Sequence, residues 1–328
     1  MAKTKESEKD GLQKLIDELN SKFGKGTVIS SKNKNEHVEV IPTGSFSLDL
    51  ATNIGGVPVG KLIEMFGPES SGKSTMTLHM IAEHQKRGKR CMLVDSEHSF
   101  DNKYAQNIGV NTEELLYASP ECLEDAWNLM EKVVKSGQVQ FIVFDSHTSS
   151  LPKKVIDGEV GEATMALQAR LNSTALGKIH PLLDIHKVTL LAISQTRMNI
   201  GGYGNPEVTT GGQGWKFYSD MRFKVSKQLD KTNDQNKTTV EVIKNKCAVP
   251  FGKAEFMVRW GVGVDRQQEI IDYAVEFGFI KLGGSWYTLE DDVKIQGDTN
   301  LKLFMESNPE WTEKLEKKVL EKLTKIEL

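Results

Sequence analysis

The sequence predicts an α/β fold with a mainly parallel central sheet, and three observations carry that prediction. Short, continuously apolar runs recur at residues 61–66, 91–95, 115–118, 141–145 and 188–194. Helical patterns separate them, at residues 75–87, 123–135 and 162–186. Unbroken apolar strands alternating with helices belong to parallel sheets, because the crossover helices cover both faces. The third observation is the glycine-rich loop Gly67-Pro68-Glu69-Ser70-Ser71-Gly72-Lys73-Ser74, set between the first strand and the first helix.

Taken in order, residues 8–23 carry Leu12, Leu15, Ile16, Leu19 and Phe23 among charges, the stripe of an amphipathic helix. Gly24-Lys25-Gly26 ends it, Thr27-Val28-Ile29 reads as a brief strand, and residues 30–36 read as a polar linker. So small a piece needs a surface to pack on, either its own core or a neighbouring subunit, and the residues leave that choice open. The alternating α/β region then runs from about Val38 to Gly261. Within it, runs 221–228, 238–246 and 254–260 follow without intervening helices, with a polar turn over 230–236, and extend the sheet in antiparallel fashion. From about Arg266 the pattern changes to a smaller α/β piece: a helix at 268–277, a strand at 285–289 and a last helix from Pro309. Leu315, Val319, Leu320 and Leu323 read as that helix's packing stripe. The expected domains are 1–36, 37–265 and 266–328.

Composition narrows the class. A chain of 328 residues with 38% hydrophobic content can bury a large core, and no apolar run approaches the roughly 20 residues of a membrane span. The opening Met1-Ala2-Lys3-Thr4-Lys5-Glu6 is charged, with no hydrophobic stretch behind it, so no secretory signal is expected. Three scattered cysteines, Cys91, Cys122 and Cys247, lack metal or redox spacing and suit a reducing cytoplasm. With a net charge of −3, any nucleic acid would be held by local loops rather than by a basic surface overall.

The loop from Gly67 to Ser74 fits G-x-x-x-x-G-K-[ST], and its strand–loop–helix context makes it a phosphate site. Glycines let backbone N–H groups converge on phosphate, and the helix N-terminus adds positive potential. Lys73 would reach the β- and γ-phosphates, and the Ser74 hydroxyl would hold Mg²⁺. A second Mg²⁺ carboxylate is expected at an apolar strand end, and Phe141-Ile142-Val143-Phe144-Asp145 supplies Asp145. Hydrolysis needs a further carboxylate to polarise water; Glu97, just past the strand ending Val94-Asp95, fits, while Asp95 itself reads as structural. Gln195 closes a third strand on the same edge, placed to sense a γ-phosphate or orient water. The glycine-rich stretch 196–214 behind it is suited to an order–disorder switch driven by nucleotide.

Together these stretches resemble the bacterial RecA family of homologous-recombination proteins. The resemblance runs from about Leu12 to the last helix and rests also on Asp95-Ser96-Glu97-His98-Ser99-Phe100-Asp101, Val143-Phe144-Asp145-Ser146, Gln195-Thr196-Arg197-Met198 and Gly204-Asn205-Pro206-Glu207. Thr210-Gly211-Gly212, Lys216-Phe217-Tyr218 and Lys244-Asn245-Lys246 complete it. It implies a RecA-type P-loop ATPase core with an N-terminal polymerisation element, which answers the packing question above, and a small C-terminal α/β domain. It implies ATP and Mg²⁺ as cofactors, bound by Gly67, Pro68, Glu69, Ser70, Ser71, Gly72, Lys73, Ser74 and Thr75, with Asp101 and Tyr104 at the adenine. Glu97 is similar to the family's general base, Gln195 to its γ-phosphate sensor, and Ser74 with Asp145 to its Mg²⁺ site. Lys244 and Lys246 resemble lysines that reach a neighbour's ATP. Residues 158–165 and 197–213 resemble the two DNA loops. Met165 and Ile200 match the family's apolar wedges between base triplets, and Arg170, Ser173, Arg197, Gly211 and Gly212 match its DNA-backbone contacts, with Met198, Asn199 and Gln213 alongside. Single-stranded DNA, homologous duplex and a helical filament of like subunits are the implied partners, with self-cleaving repressors and mediator proteins beyond them.

Some positions depart from the family pattern. Asn199 stands where the second loop commonly has Lys, and that loop is one residue shorter, with Gly202-Tyr203 in its middle. Gly177 stands where an Arg contacts DNA, beside Lys178. Both changes remove positive charge and are expected to lower salt-sensitive DNA affinity. Gln267 replaces a Tyr that stacks near the base across the subunit interface. The sequence ends at Leu328 without the acidic tail of many members, which is expected to relieve a restraint on duplex binding. Such differences suit a phage- or mobile-element-borne relative. Competing readings of the same core are a ring-forming helicase motor, a nucleotide-gated binding protein and, more distantly, a small-molecule kinase.

Overall fold

The structure is a computed structural model that describes residues 2–24, 28, 38–159, 165–198, 207–209, 212–230, 235–290 and 292–326. Two compact units make up the chain, Met1–Glu39 and Val40–Leu328. In the first, α1 (Ala2–Phe23) begins well before the apolar stripe, because the charged stretch ahead of it is rich in helix-favouring Lys and Glu. Gly24 ends it at a φ of 111°, and the Asn20 side chain brackets Val28 with two 2.8 Å hydrogen bonds. Leu12, Leu15 and Phe23 of the stripe are exposed. Thr27 and Ile29 of the expected strand lie outside the described residues.

The second unit opens with β1 (Val40–Ile41), α2 (Phe46–Ala51), β2 (Val57–Pro58), β3 (Leu62–Gly67), α3 (Lys73–Lys86), β4 (Cys91–Asp95) and α4 (Asn102–Ile108). It continues through β5 (Leu116–Ala118), α5 (Leu123–Ser136), β6 (Phe141–Asp145), α6 (Lys153–Ile156), α7 (Met165–His186) and β7 (Thr189–Met198). Then come β8 (Glu207–Thr209), α8 (Gly214–Tyr218), β9 (Met221–Asp230), β10 (Gln235–Asn245), β11 (Lys253–Arg259) and β12 (Gly263–Val264). The last elements are α9 (Arg266–Glu276), β13 (Lys281–Gly283), β14 (Trp286–Thr288), β15 (Lys294–Gln296), α10 (Asp298–Ser307) and α11 (Pro309–Ile326). Residues 231–234 of the expected turn and 162–164 of the expected long helix lie outside the described residues.

Among the described residues the main sheet runs in the order β12-β11-β10-β9-β3-β7-β6-β4-β5, with β8 on β7. The strands from β9 to β5 are parallel, and β10, β11 and β12 are antiparallel, as the helix-free stretch predicts. Alternation along the strands feeds two cores. Cys91, Leu93, Phe141 and Val143 pack with Met76, Met80 and Ile81 of α3. Met92, Val94, Ile142 and Phe144 face the other way, onto Trp127 and Met130 of α5 and Leu176 and Ile179 of α7. Each fully buried Leu, Ile, Met or Phe contributes about 1.5–3 kcal/mol, so the two-sided burial fixes the central strands. The expected strand at 115–118 is the exception: β5 is the sheet's edge, and Leu116 and Tyr117 are about half exposed rather than covered.

The C-terminal elements form a third core with a three-stranded antiparallel sheet, β13-β14-β15. Phe46 of α2 inserts into this core. Glu269 of α9 reaches the start of α2, accepting from Ser45 Oγ at 2.7 Å and from the N–H groups of Ser47 at 3.1 Å and Phe46 at 3.3 Å. A buried carboxylate at a helix N-terminus meets both the orphan donors and the helix dipole, tying the C-terminal piece to the sheet unit.

Candidate active site

Four strand ends meet on one edge of the sheet. Gly67 of β3 pairs with Gln195 of β7, and Asp95 of β4 pairs with Asp145 of β6. This is the carboxyl edge of parallel strands, where open α/β sheets bind ligands. The chain leaves β3 so close to β9 that a Cβ on Gly67 would lie 2.1 Å from the Val225 carbonyl oxygen, which only glycine avoids. Gly72, at a φ of 97°, turns the loop into α3 without any side-chain cap, leaving the first N–H groups of that helix to a ligand.

Lys73 Nζ donates to the carbonyls of Gly67 at 3.0 Å and Pro68 at 2.7 Å. Burial holds its pKa below the usual lysine value, opposed by the charges of Asp145 and Glu97. Ser74 Oγ donates to Asp145 Oδ2 at 2.7 Å. Burial pushes the Asp145 carboxyl up to about 6, against the pull of the Ser74 hydrogen bond. Glu97 gathers three donors on one oxygen: Ser146 Oγ at 2.6 Å, Gln195 Nε2 at 2.7 Å and Ser149 Oγ at 2.9 Å, all to Oε1. Asp95 is structural, as expected. It accepts from the N–H groups of Glu97, Ser99 and Phe100 at 2.9–3.1 Å and from the Tyr117 hydroxyl at 3.2 Å.

A cleft of about 300 Å³ opens over these groups. Residues 69–75, Glu97, Tyr104, Asp145 and Gln195 line it, joined by Asn236, Thr238 and residues 258–260. Ser71 Oγ, Thr238 Oγ1 and Asn236 Oδ1 are buried there without hydrogen-bond partners. Orphaned polar atoms, an uncapped helix start and a lysine around one cleft fit a polyanionic ligand. Ser74 and Asp145 supply hard oxygen donors suited to Mg²⁺, which typically completes its sphere with phosphates and waters.

The strands β10 and β11 contribute what the sequence reading missed. Trp260, following β11, is a second aromatic of the cleft beside Tyr104, whereas Gln267 in α9 is not among the lining residues. No periodicity marks Thr238, Asn236 or Trp260; only the hairpin fold brings them to the loop. Tyr104 lines the cleft and its hydroxyl lies 2.9 Å from Thr75 Oγ1. Asp101 instead caps α4, accepting from Tyr104 N at 3.0 Å, and lines an adjoining cavity of about 250 Å³.

Lys244 and Lys246 lie away from this cleft but together. Lys244 Nζ donates to the carbonyls of Lys216 at 2.9 Å and Phe217 at 3.1 Å, and Lys246 Nζ donates to Asp220 Oδ1 at 3.0 Å. Asn245 between them turns the other way, to the Thr52 carbonyl. Two like charges side by side suggest an external anion, yet in this structure Asp220 and two carbonyls meet them within the chain.

The described parts of the two candidate DNA loops converge. A Cβ on Gly212 would lie 2.8 Å from Ala169 Cβ, and one on Gly214 would lie 2.8 Å from Ser173 Oγ, so the end of the second loop packs on α7 beside Arg170 and Ser173. Arg170 and Gln213 are exposed. Met165 opens α7, and Arg197 and Met198 end β7, whereas Asn199, Ile200 and Gly211 lie outside the described residues. At Gly177 a Cβ would meet the Tyr218 hydroxyl at 3.0 Å, so this chain has little room for a larger side chain there. No helix among the described residues is long and apolar enough to cross a membrane.

The RecA N-terminal domain family matches residues 10–265, and the RecA C-terminal domain family matches residues 268–324. Protein RecA of Campylobacter jejuni is 43% identical over 321 residues, covering 96% of this chain and 94% of that protein. Protein RecA of Campylobacter lari is 44% identical, covering 93% and 90% respectively. Protein RecA of Streptomyces ambofaciens is 42% identical, covering 95% and 86%.

Proposed function

Because the chain belongs to the bacterial RecA family, we propose that its cleft hydrolyses ATP in step with DNA binding and subunit assembly. The protein is a recombinase of homologous recombination and DNA repair and a DNA-dependent ATPase that uses ATP with Mg²⁺. It binds single- and double-stranded DNA and forms filaments.

The observation that carries the assignment of roles is the meeting of Gln195 and Glu97 above the phosphate loop, 2.7 Å apart. Three donors occupy Glu97 Oε1, and no hydrogen bond among the described residues engages Oε2. Oε2 is therefore the atom to take a proton from an attacking water, with Oε1 held still. Lys73 and the first N–H groups of α3 would hold the phosphates, and Ser74 and Asp145 would hold Mg²⁺. When bound, Mg²⁺ would neutralise charge on the transferring phosphoryl group. A γ-phosphate entering the cleft competes with Glu97 for the Gln195 amide. Gln195 begins the polar end of β7, which leads into the second DNA loop, so nucleotide state and loop state share one side chain. Arg170, Ser173, Gly212 and Gln213, with Met165, Arg197 and Met198, are the described residues of the DNA face. Lys244 and Lys246 reach a neighbour's triphosphate in the filament. The domain division at 36 and 265 and a cytoplasmic location belong to the same reading.

Electron microscopy with an ATP analogue and single-stranded DNA tests it. Helical filaments are expected; closed rings would move the chain to a ring-motor reading, and unassembled subunits to a binding protein.

A further inference from the structure

One buried carboxylate joins three parts of the sheet unit. Asp220 lies just before β9 and is 6% exposed. Its Oδ2 accepts from Leu62 N at 3.0 Å, at the start of β3. Nε2 of His180, on α7, lies 3.1 Å from Oδ2 and 3.3 Å from Oδ1. Lys246 Nζ donates to Oδ1 at 3.0 Å. The backbone repeats the pattern, with Asp220 N donating to Leu62 O at 2.7 Å and Lys246 N to Asp220 O at 2.9 Å. A buried carboxylate is costly unless paired. Here burial pushes the carboxyl up, but the His180, Leu62 and Lys246 hydrogen bonds bring it down to about 2.

The pairing has a consequence for Lys246, whose side chain is 46% exposed. An ammonium on Asp220 has one donor committed and much of its charge neutralised. A phosphate on an adjacent subunit has to compete for it. His180 draws on the same carboxylate, and it sits on the helix that carries Arg170 and Ser173 and receives Gly212 and Gly214. The more of Asp220 that His180 takes, the less is left for Lys246.

We propose that Asp220 is a positioning residue that parks Lys246 on its own chain, and that α7, acting through His180, controls its release. The inference rests on the reading of Lys246 as a lysine acting across the interface. DNA bound along α7 presses His180 onto Asp220, freeing Lys246 for the neighbour's phosphate, which makes hydrolysis depend on DNA. Both ends of this link are side chains on one buried group, so no longer chain of contacts is needed.

The test measures Mg²⁺-dependent ATP hydrolysis by the full-length protein, with and without single-stranded DNA, over a range of protein concentrations. Asp220→Asn keeps an acceptor for the Leu62 N–H but loses the charge. It is expected to raise DNA-free turnover roughly two- to fivefold, the scale of one partly exposed ion pair, and to shrink the stimulation by DNA. Asp220→Ser serves the same purpose should D220N fail to fold. Asp220→Glu is expected to restore the DNA requirement. His180→Ala removes the competitor and is expected to weaken stimulation. The double variant D220N/K246A must lose the gain.

DNA-free turnover of D220N at or below the native rate, with Lys246→Ala depressed, would overturn the parking of Lys246. A gain surviving in the double variant would overturn it too. If Lys246→Ala hydrolyses ATP as the native protein does with DNA, the trans role of the lysine itself fails, whatever D220N does.

Discussion

The Gln195 side chain donates from Nε2 to Oε1 of Glu97 at 2.7 Å, bringing the ends of β7 and β4 together over the phosphate loop. With Ser146 and Ser149 on the same oxygen, the carboxylate is fixed in direction but keeps Oε2 open. Glu97→Gln preserves size and most of this bonding while removing the proton acceptor. Nucleotide affinity is expected to stay within a few-fold of native and turnover to fall by about a hundredfold or more. Equilibrium binding of a fluorescent ATP analogue beside steady-state hydrolysis checks both, and native turnover would remove Glu97 from the role of base.

Lys73 is anchored on the Gly67 and Pro68 carbonyls, which places its ammonium at the cleft wall. Lys73→Ala deletes the charge facing the phosphates and leaves those two carbonyls without their donor. Hydrolysis is expected to be nearly abolished, with nucleotide binding weakened as well, unlike in Glu97→Gln. The contrast between the two variants in one binding assay is the check.

Much of this site is legible in the sequence because its residues sit at strand ends. The apolar runs ending at Asp95 and Asp145 match β4 and β6 to the residue, since two-sided burial leaves no polar position inside them. The far end of β7, Thr196–Met198 beyond the strand-closing Gln195, does not announce itself by hydrophobicity and reads in the sequence as the start of the glycine-rich loop. Helices as short as α2 and α4 span too little chain to show a helical period, although Ser45 and Asp101 are their caps. What the sequence hides is partnership at long range. Glu269 capping α2, Thr238 and Trp260 at the phosphate loop, and Asp220 beneath Lys246 each depend on elements that only tertiary packing joins.

Asp49 gives a pH signature. Its Oδ1 accepts from Thr43 N at 2.7 Å, and burial pushes the carboxyl up to about 7 from an ordinary 3.8. The folded chain therefore holds this proton more tightly than the unfolded chain. The stability it contributes is present below pH about 4 and is lost as pH rises through about 7. Asp49→Asn keeps an acceptor for Thr43 and does not titrate. Thermal unfolding should show the variant gaining on the native protein between pH 4 and 7, by on the order of 2 kcal/mol after discounting partial exposure. A constant difference across that range would remove Asp49 as a titrating group.

The sharpest test of assembly lies with Lys246. Its ammonium faces Asp220 and is half exposed, and Lys246 is not among the residues that line its own chain's cleft. If it stabilises charge on a neighbour's phosphoryl group, Lys246→Ala should depress DNA-stimulated hydrolysis while leaving nucleotide affinity of the isolated subunit near native. Turnover per subunit of the native protein should also rise with protein concentration, because each active cleft needs a neighbour. Mixing gives the decisive arrangement. In a co-assembly of Lys246→Ala with Lys73→Ala, the first variant supplies an intact phosphate loop and the second an intact lysine. One order of neighbours then rebuilds a complete site from two inactive chains, and partial activity should return at intermediate ratios. No recovery at any ratio, with co-assembly demonstrated by light scattering or labelled-subunit exchange, would place Lys246 outside catalysis. The Asp220 pair would then be a structural link between β3, α7 and the end of β10.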